Sequence, residues 1–132
     1  MDRIAILGLL QHRLPGLQAV YAFGSRSQGT ATSRSDLDLA VLTPERLDPV
    51  ALWELGAEVA KLVGCDVDLV DLRRATTVMQ HQVLVTGQRW WVQSALTVDL
   101  WELQVLRDKQ ELDELRAPLV EEILRSGVVH GG

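Results

Sequence analysis

One stretch constrains this chain more than any other: Phe23 to Leu42, which reads FGSRSQGTATSRSDLDLAVL. Gly24-Ser25 follows an apolar run, Ala19-Val20-Tyr21-Ala22-Phe23, ten residues intervene, and Asp36-Leu37-Asp38 then opens a second apolar run. Side chains alternate between the two faces of a strand, so Asp36 and Asp38 share one face while Leu37, Leu39 and Val41 take the other and need burial. Two acceptor-only carboxylates about 6–7 Å apart along a strand repel each other unless a cation sits between them. A hard divalent ion such as Mg²⁺ suits them, because it takes one or two carboxylates and fills its shell with water and phosphate oxygens. Upstream, Gly24 and Ser25 offer backbone N–H groups and a hydroxyl at a turn where a short helix, Ser25 to Thr30, is expected to start, and a helix start attracts anions. Donors for phosphate on one side of a loop and ligands for its metal on the other outline a nucleoside triphosphate site. Asp is depleted in strands and costly on a buried one, so a chance pair here is a weak alternative.

Gly24-Ser25, ten residues, then Asp36-Leu37-Asp38 resembles the GS…DxD signature of the DNA polymerase β-type nucleotidyltransferases. The wider wording, GSRSQGTATSRSDLDLAVL, resembles the minimal (MNT) branch of that superfamily more than its poly(A) polymerase or polymerase branches. The resemblance implies an α+β fold: a small mixed β-sheet with helices packed on it, followed by a helical C-terminal segment. It also implies a third carboxylate from a neighbouring strand after an intervening helix. Asp66-Val67-Asp68-Leu69-Val70-Asp71-Leu72 provides that strand, with Asp68 the best match, Asp66 the second choice on the same face, and Asp71 a turn residue. Asp36, Asp38 and Asp68 are thus expected as both metal ligands and catalytic groups of a two-metal Mg²⁺ site. Gly24, Ser25 and Arg26 are expected to bind the nucleotide, the other reading of Arg26 being a solvated helix residue.

The remaining chain reads as elements around that stretch. Ile4, Ile6, Leu7, Leu10 and Leu14 predict a first helix ending near Pro15-Gly16, and Gln18 to Phe23 a first strand. Asp48-Pro49 predicts a helix start, Leu52, Leu55, Val59, Leu62 and Val63 its apolar stripe, and Gly64 its stop. Ala75 to Thr86 predicts a helix closed by Gly87, and Gln88 to Gln93 a short strand with Trp90 and Trp91 on opposite faces. From Ser94 onward the pattern is helical, with a stripe of Val98, Trp101, Val105, Leu112, Leu115 and Leu119; Pro118 is expected to kink it or start another helix. At 132 residues one domain is expected over 1–132, its core about 1–93 and its helical segment about 94–127.

Charge and composition narrow the function. A formal charge of −5 argues against broad nucleic-acid binding, although Arg26, Arg34, Arg73 and Arg74 could gather near the site. No apolar run is long enough to span a bilayer, and the single cysteine, Cys65, excludes internal disulfides and fits a reducing cytoplasm. His12, His81 and His130 each stand without a partner at ligand spacing. Small MNT proteins are, as a family, antitoxins paired with HEPN-domain ribonucleases. What the resemblance implies is transfer of AMP from ATP to a tyrosine of such a toxin, in a hetero-oligomer with it. The other readings are an antitoxin that neutralises its partner by binding alone, and a small-molecule (aminoglycoside-type) nucleotidyltransferase. The C-terminal segment with one of the tandem tryptophans is the expected docking surface.

Overall fold

In the computed structural model of the chain, residues 2–24 and 36–126 are described. In chain order the elements are α1 (Arg3–Arg13), β1 (Ala19–Phe23), β2 (Leu37–Leu42), α2 (Pro49–Val63), β3 (Val67–Asp71), α3 (Thr77–Thr86), β4 (Gln88–Val92) and α4 (Ala95–Ser126). The strands form one mixed sheet in the order β3-β2-β1-β4. β1 runs antiparallel to both β2 and β4, whereas β2 and β3 are parallel, joined by α2 as crossover.

Local chemistry accounts for the element ends. The Asp48 carboxylate caps α2 by accepting the Ala51 N–H, Pro49 occupies its first turn, and left-handed Gly64 closes it. Asp2 and Thr76 cap α1 and α3 in the same way. At the end of α3 a glycine is required by space. A Cβ on Gly87 would stand 2.5 Å from the Val83 carbonyl oxygen and 2.9 Å from that of Ala22, both backbone atoms.

Both faces of the sheet are covered. On one, Val20 and Ala22 of β1 and Leu37, Leu39 and Val41 of β2 pack with Ile6 and Leu10 of α1 and Leu55 and Val59 of α2. On the other, Ala19, Tyr21 and Phe23 of β1 and Ala40 and Leu42 of β2 pack with Leu72, Val83 of α3 and Val98 of α4. β2 is therefore a central strand buried on both sides, and Asp38 is the one residue in it that keeps some exposure. α4 is tied to the sheet by a polar cluster as well. The Tyr21 hydroxyl donates to Glu102 at 2.7 Å, and Arg89 donates to the same carboxylate at 2.8 Å while also pairing with Asp99. Burial and the Glu102 carboxylate push the Tyr21 phenol well above its ordinary pKa, so it stays a neutral donor.

Four expectations change. β4 carries an irregularity: Val20 pairs with Trp91 but Tyr21 with Arg89, which leaves Trp90 as the extra residue of a bulge. Both Trp90 and Trp91 consequently pack against the α1/α2-side cluster, and the Arg3 guanidinium lies 4.6 Å over the Trp90 ring. The tandem tryptophans thus do not divide between the faces. α4 runs unbroken through Pro118 to Ser126. Its stripe is buried only at Val98 and Val105, while Leu115 and Leu119 are 80% and 64% exposed. Ile4 and Leu62 are also exposed, on the outer sides of α1 and α2.

Candidate active site

Asp38 sits at the open end of β2, one residue inside the strand, and Asp36 immediately precedes it on the same face. Across the sheet the register pairs Asp38 with Phe23 on one side and with Asp68 on the other. Parallel neighbours in register present their side chains on the same face, about 4.8 Å apart along the hydrogen-bonding direction. The structure therefore brings the sequence-predicted third carboxylate beside Asp38, on the face that α3 and α4 cover. Asp66 lies further out and exposed, its carbonyl accepting the Leu37 N–H at 2.9 Å.

The electrostatics follow from this placement. The Asp38 carboxyl is held above the ordinary carboxylate range, first by burial, then by Asp68, then by Asp36. That Asp68 outweighs Asp36 matches the geometry, since a cross-strand neighbour is nearer than a residue two places along the same strand. Among the described residues none of the three carboxylates has an ion-pair partner, and Asp36 and Asp68 are exposed. No three His, Cys, Asp or Glu side chains there converge closely enough to enclose an ion as they stand. The donor set itself is all hard oxygen, unpaired and mutually repelling, with two members free to change rotamer. That chemistry fits a hard divalent cation.

Gly24 completes the described part of the site. It follows β1 directly, has φ of +79°, and a Cβ there would overlap the Asp38 carboxylate oxygen. Glycine is thus required twice, for the left-handed turn and for the approach of the turn to Asp38. The turn and the carboxylates are consequently in contact, as a site gripping phosphate and its counter-ion demands. Ser25, Arg26, the short helix over Ser25 to Thr30, the loop from Thr30 to Ser35 and Arg34 lie outside the described residues.

Two residues expected near the site are elsewhere. Arg73 donates to the Thr43 carbonyl at 2.7 Å and to the Gln18 side chain at 3.2 Å, and Arg74 donates to the Leu47 carbonyl at 3.0 Å. These partners lie beyond the other end of β2, roughly 20 Å from Asp36 along the strand. Asp71 is at that end too, and it is structural. It is 4% exposed, accepting the Leu47 N–H at 2.8 Å and the Arg73 N–H at 2.9 Å. Cys65 packs beside the α1/α2-side cluster as a small core side chain. One feature near Asp68 is absent from the sequence expectations. Trp53 of α2 is 75% exposed and borders a groove along β3 that Asp68 also lines. It stands off the apolar stripe of Leu52, Leu55, Val59, Leu62 and Val63, and that offset is the signal that marks it as outward-facing.

The comparisons with known proteins agree with this geometry. Residues 6–94 match the family model described as polymerase beta, nucleotidyltransferase. The protein adenylyltransferase MntA of Shewanella oneidensis is 39% identical over 119 residues, covering 90% of this chain and 85% of the relative. A solved toxin–antitoxin structure with AMP-PNP superposes with a TM-score of 0.87 at 37% identity, over 94% of this chain and 99% of that one. The MNT antitoxin in complex with a tri-AMPylated HEPN toxin from Shewanella oneidensis superposes at 0.79, with 34% identity over 92% of this chain and 95% of that one. With a mixed sheet that sets Asp38 and Asp68 side by side against the Gly24 turn, and with a family model spanning most of its length, the chain belongs to the polymerase β-type nucleotidyltransferase family.

Proposed function

We propose that this protein is a protein adenylyltransferase that acts as an antitoxin, moving AMP from ATP to a tyrosine hydroxyl of a HEPN-type ribonuclease toxin with which it assembles. The observation that carries this reading is the in-register pair Asp38–Asp68 beside the Gly24 turn, in a chain 39% identical to an adenylyltransferase. Similar solved chains come with AMP-PNP or with an AMPylated toxin, which supports ATP as donor and a protein as acceptor.

In the proposed reaction the tyrosine oxygen forms a bond to the α-phosphorus and the α–β phosphoanhydride breaks. Pyrophosphate leaves with the electron pair, and the hydroxyl proton passes to Asp68. Asp36, Asp38 and Asp68 would hold Mg²⁺, which when bound offsets the charge growing on the attacking and leaving oxygens. Gly24 keeps the phosphate-facing turn against Asp38; Gly24 and Ser25 would grip the β- and γ-phosphates, and Arg26 would neutralise phosphate charge. Asp68 is exposed on the edge strand of the sheet and has no competing partner among the described residues, which suits it to accept a proton. Asp38, half-buried, is the anchoring ligand. The 1–132 chain is read as a single catalytic domain. A cytoplasmic location is the reading that a single cysteine, unable to form an internal disulfide, supports.

The test is mass spectrometry of a HEPN-type toxin after incubation with the protein, ATP and Mg²⁺. Addition of one or more AMP groups to tyrosine, lost on adding chelator, is the expected result. Neutralisation of the toxin with no change in its mass would overturn it in favour of inhibition by contact.

A further inference from the structure

The strand that carries Asp68 is at the edge of the sheet, and among the described residues nothing pairs with its outer side. The Leu37 N–H donates to the Asp66 carbonyl, so in this parallel ladder the peptide groups of Asp66 and Asp68 face β2. Those of Val67 and Leu69 then face outward. An exposed strand edge of this kind is a template for another strand, and proteins normally blunt it with charge, proline or cover. Here the exposed Asp66 and Asp68 put charge on it, and a groove of about 520 Å³ lies beside it between β3 and α2. Gly56, Ala57 and Ala60 line it, where small side chains leave room, together with the exposed Trp53. Asp66 and Asp68 also line the groove, so it runs along the outer edge of the strand whose opposite face carries the transfer site.

Building on the proposed function, we propose that this edge and groove are the track for the acceptor segment of the toxin. The segment adds to β3 as a further strand and lays its acceptor tyrosine beside Asp68. Strand alternation makes the geometry specific. A residue placed in register with Asp68 presents its side chain on the face Asp68 shares with Asp38, while its two neighbours turn to the other face, toward α2. The main chain supplies affinity through the Val67 and Leu69 N–H and C=O groups, and the groove selects the neighbours. Apolar side chains there pack on Trp53 and over Gly56 and Ala57. A segment fixed along a rigid strand also holds the hydroxyl in line, which is where much of the rate of such a transfer originates.

Trp53→Ala and Ala57→Leu test this, the first removing part of the groove's lining and the second filling the groove, at exposed helix positions that do not contribute to the core. Initial rates are measured with intact toxin as acceptor, varying toxin and ATP separately. A tyrosine peptide copied from the modified toxin segment and its backbone N-methylated form serve as competitors. The expected result is a rise of about tenfold or more in KM for toxin, with kcat and KM for ATP changed less than about twofold. The N-methylated peptide should compete much more weakly than the parent, since it cannot complete the edge hydrogen bonds. Unchanged toxin KM in both variants, or equal competition by the two peptides, overturns the proposal while leaving the transferase activity standing. A raised KM for ATP with toxin KM unchanged also overturns it, and assigns Trp53 to the adenine base. If wild-type protein binds toxin but transfers nothing, the proposed function falls and the acceptor track with it.

Discussion

Replacing Asp71 should unfold this protein far more readily than replacing Asp68, though both are aspartates three residues apart on one short strand. Asp71 is 4% exposed and its oxygens accept the Leu47 and Arg73 N–H groups at 2.8 and 2.9 Å. A hydrogen bond to a charged acceptor contributes about 1.5–3 kcal/mol, and Asp71→Ala removes two while leaving both donors unpaired. The Arg74 guanidinium, 3.8 Å away and half exposed, adds little. The cost is therefore about 3–6 kcal/mol, and at roughly 3–6 °C per kcal/mol for a chain of this size the Tm should fall by roughly 10–35 °C. Asp68→Ala removes an exposed side chain without a partner, so its stability should stay within about 0.5 kcal/mol of wild type. Its transfer rate should nevertheless drop by about 10²-fold or more. Thermal and urea unfolding, run beside a toxin-modification assay at a temperature where both variants are folded, separates the two effects. An Asp71→Ala protein melting within about 3 °C of wild type would refute the anchoring role worked out here. Full transfer by Asp68→Ala would refute its place in the site.

Other outcomes follow from the same geometry. The folded-state pKa of Asp38 lies above its unfolded value, so its favourable contribution is present below the ordinary carboxylate range and is lost as pH rises through the raised value. Asp38→Asn should therefore melt higher than wild type at neutral pH in chelator, with the gap closing as pH falls, and should show no transfer; Mg²⁺ should raise the Tm of wild type alone. Gly24→Ala forces a side chain into a left-handed turn and onto the Asp38 carboxylate, so it should lose about 10²-fold in transfer, read in the same modification assay, even where circular dichroism shows an intact fold. The far end of α4 carries Leu115 and Leu119 in the open, so Leu115→Ser with Leu119→Ser should leave the Tm nearly unchanged and weaken toxin binding in calorimetry. If toxin affinity is unaltered, the projecting end of α4 is not the docking surface.

The carboxylate pair, the turn before it and the element order could all be written down from residue types. Each rests on chemistry confined to a few neighbours. Asp36 and Asp38 share a face because strands alternate, Asp48-Pro49 starts a helix because the cap and ring suit its first turn, and Gly64 stops it in a left-handed conformation. Even Asp68 over Asp71 was accessible, because faces on one strand follow from counting. Tertiary structure alone decided what depends on which strands are neighbours and how they are offset. The β2–β3 register set Asp68 directly beside Asp38, and the order β3-β2-β1-β4 left the outer side of β3 without a strand among the described residues. A one-residue bulge in β4 turned both tandem tryptophans to one face, against the count by twos. Arg73 and Arg74 are charged and close in sequence to the third carboxylate, yet a strand's length carries them to the opposite end of the sheet. The stripe along α4 keeps its helical period past Leu112, but period records which side is apolar and carries no information on where the sheet beneath it ends.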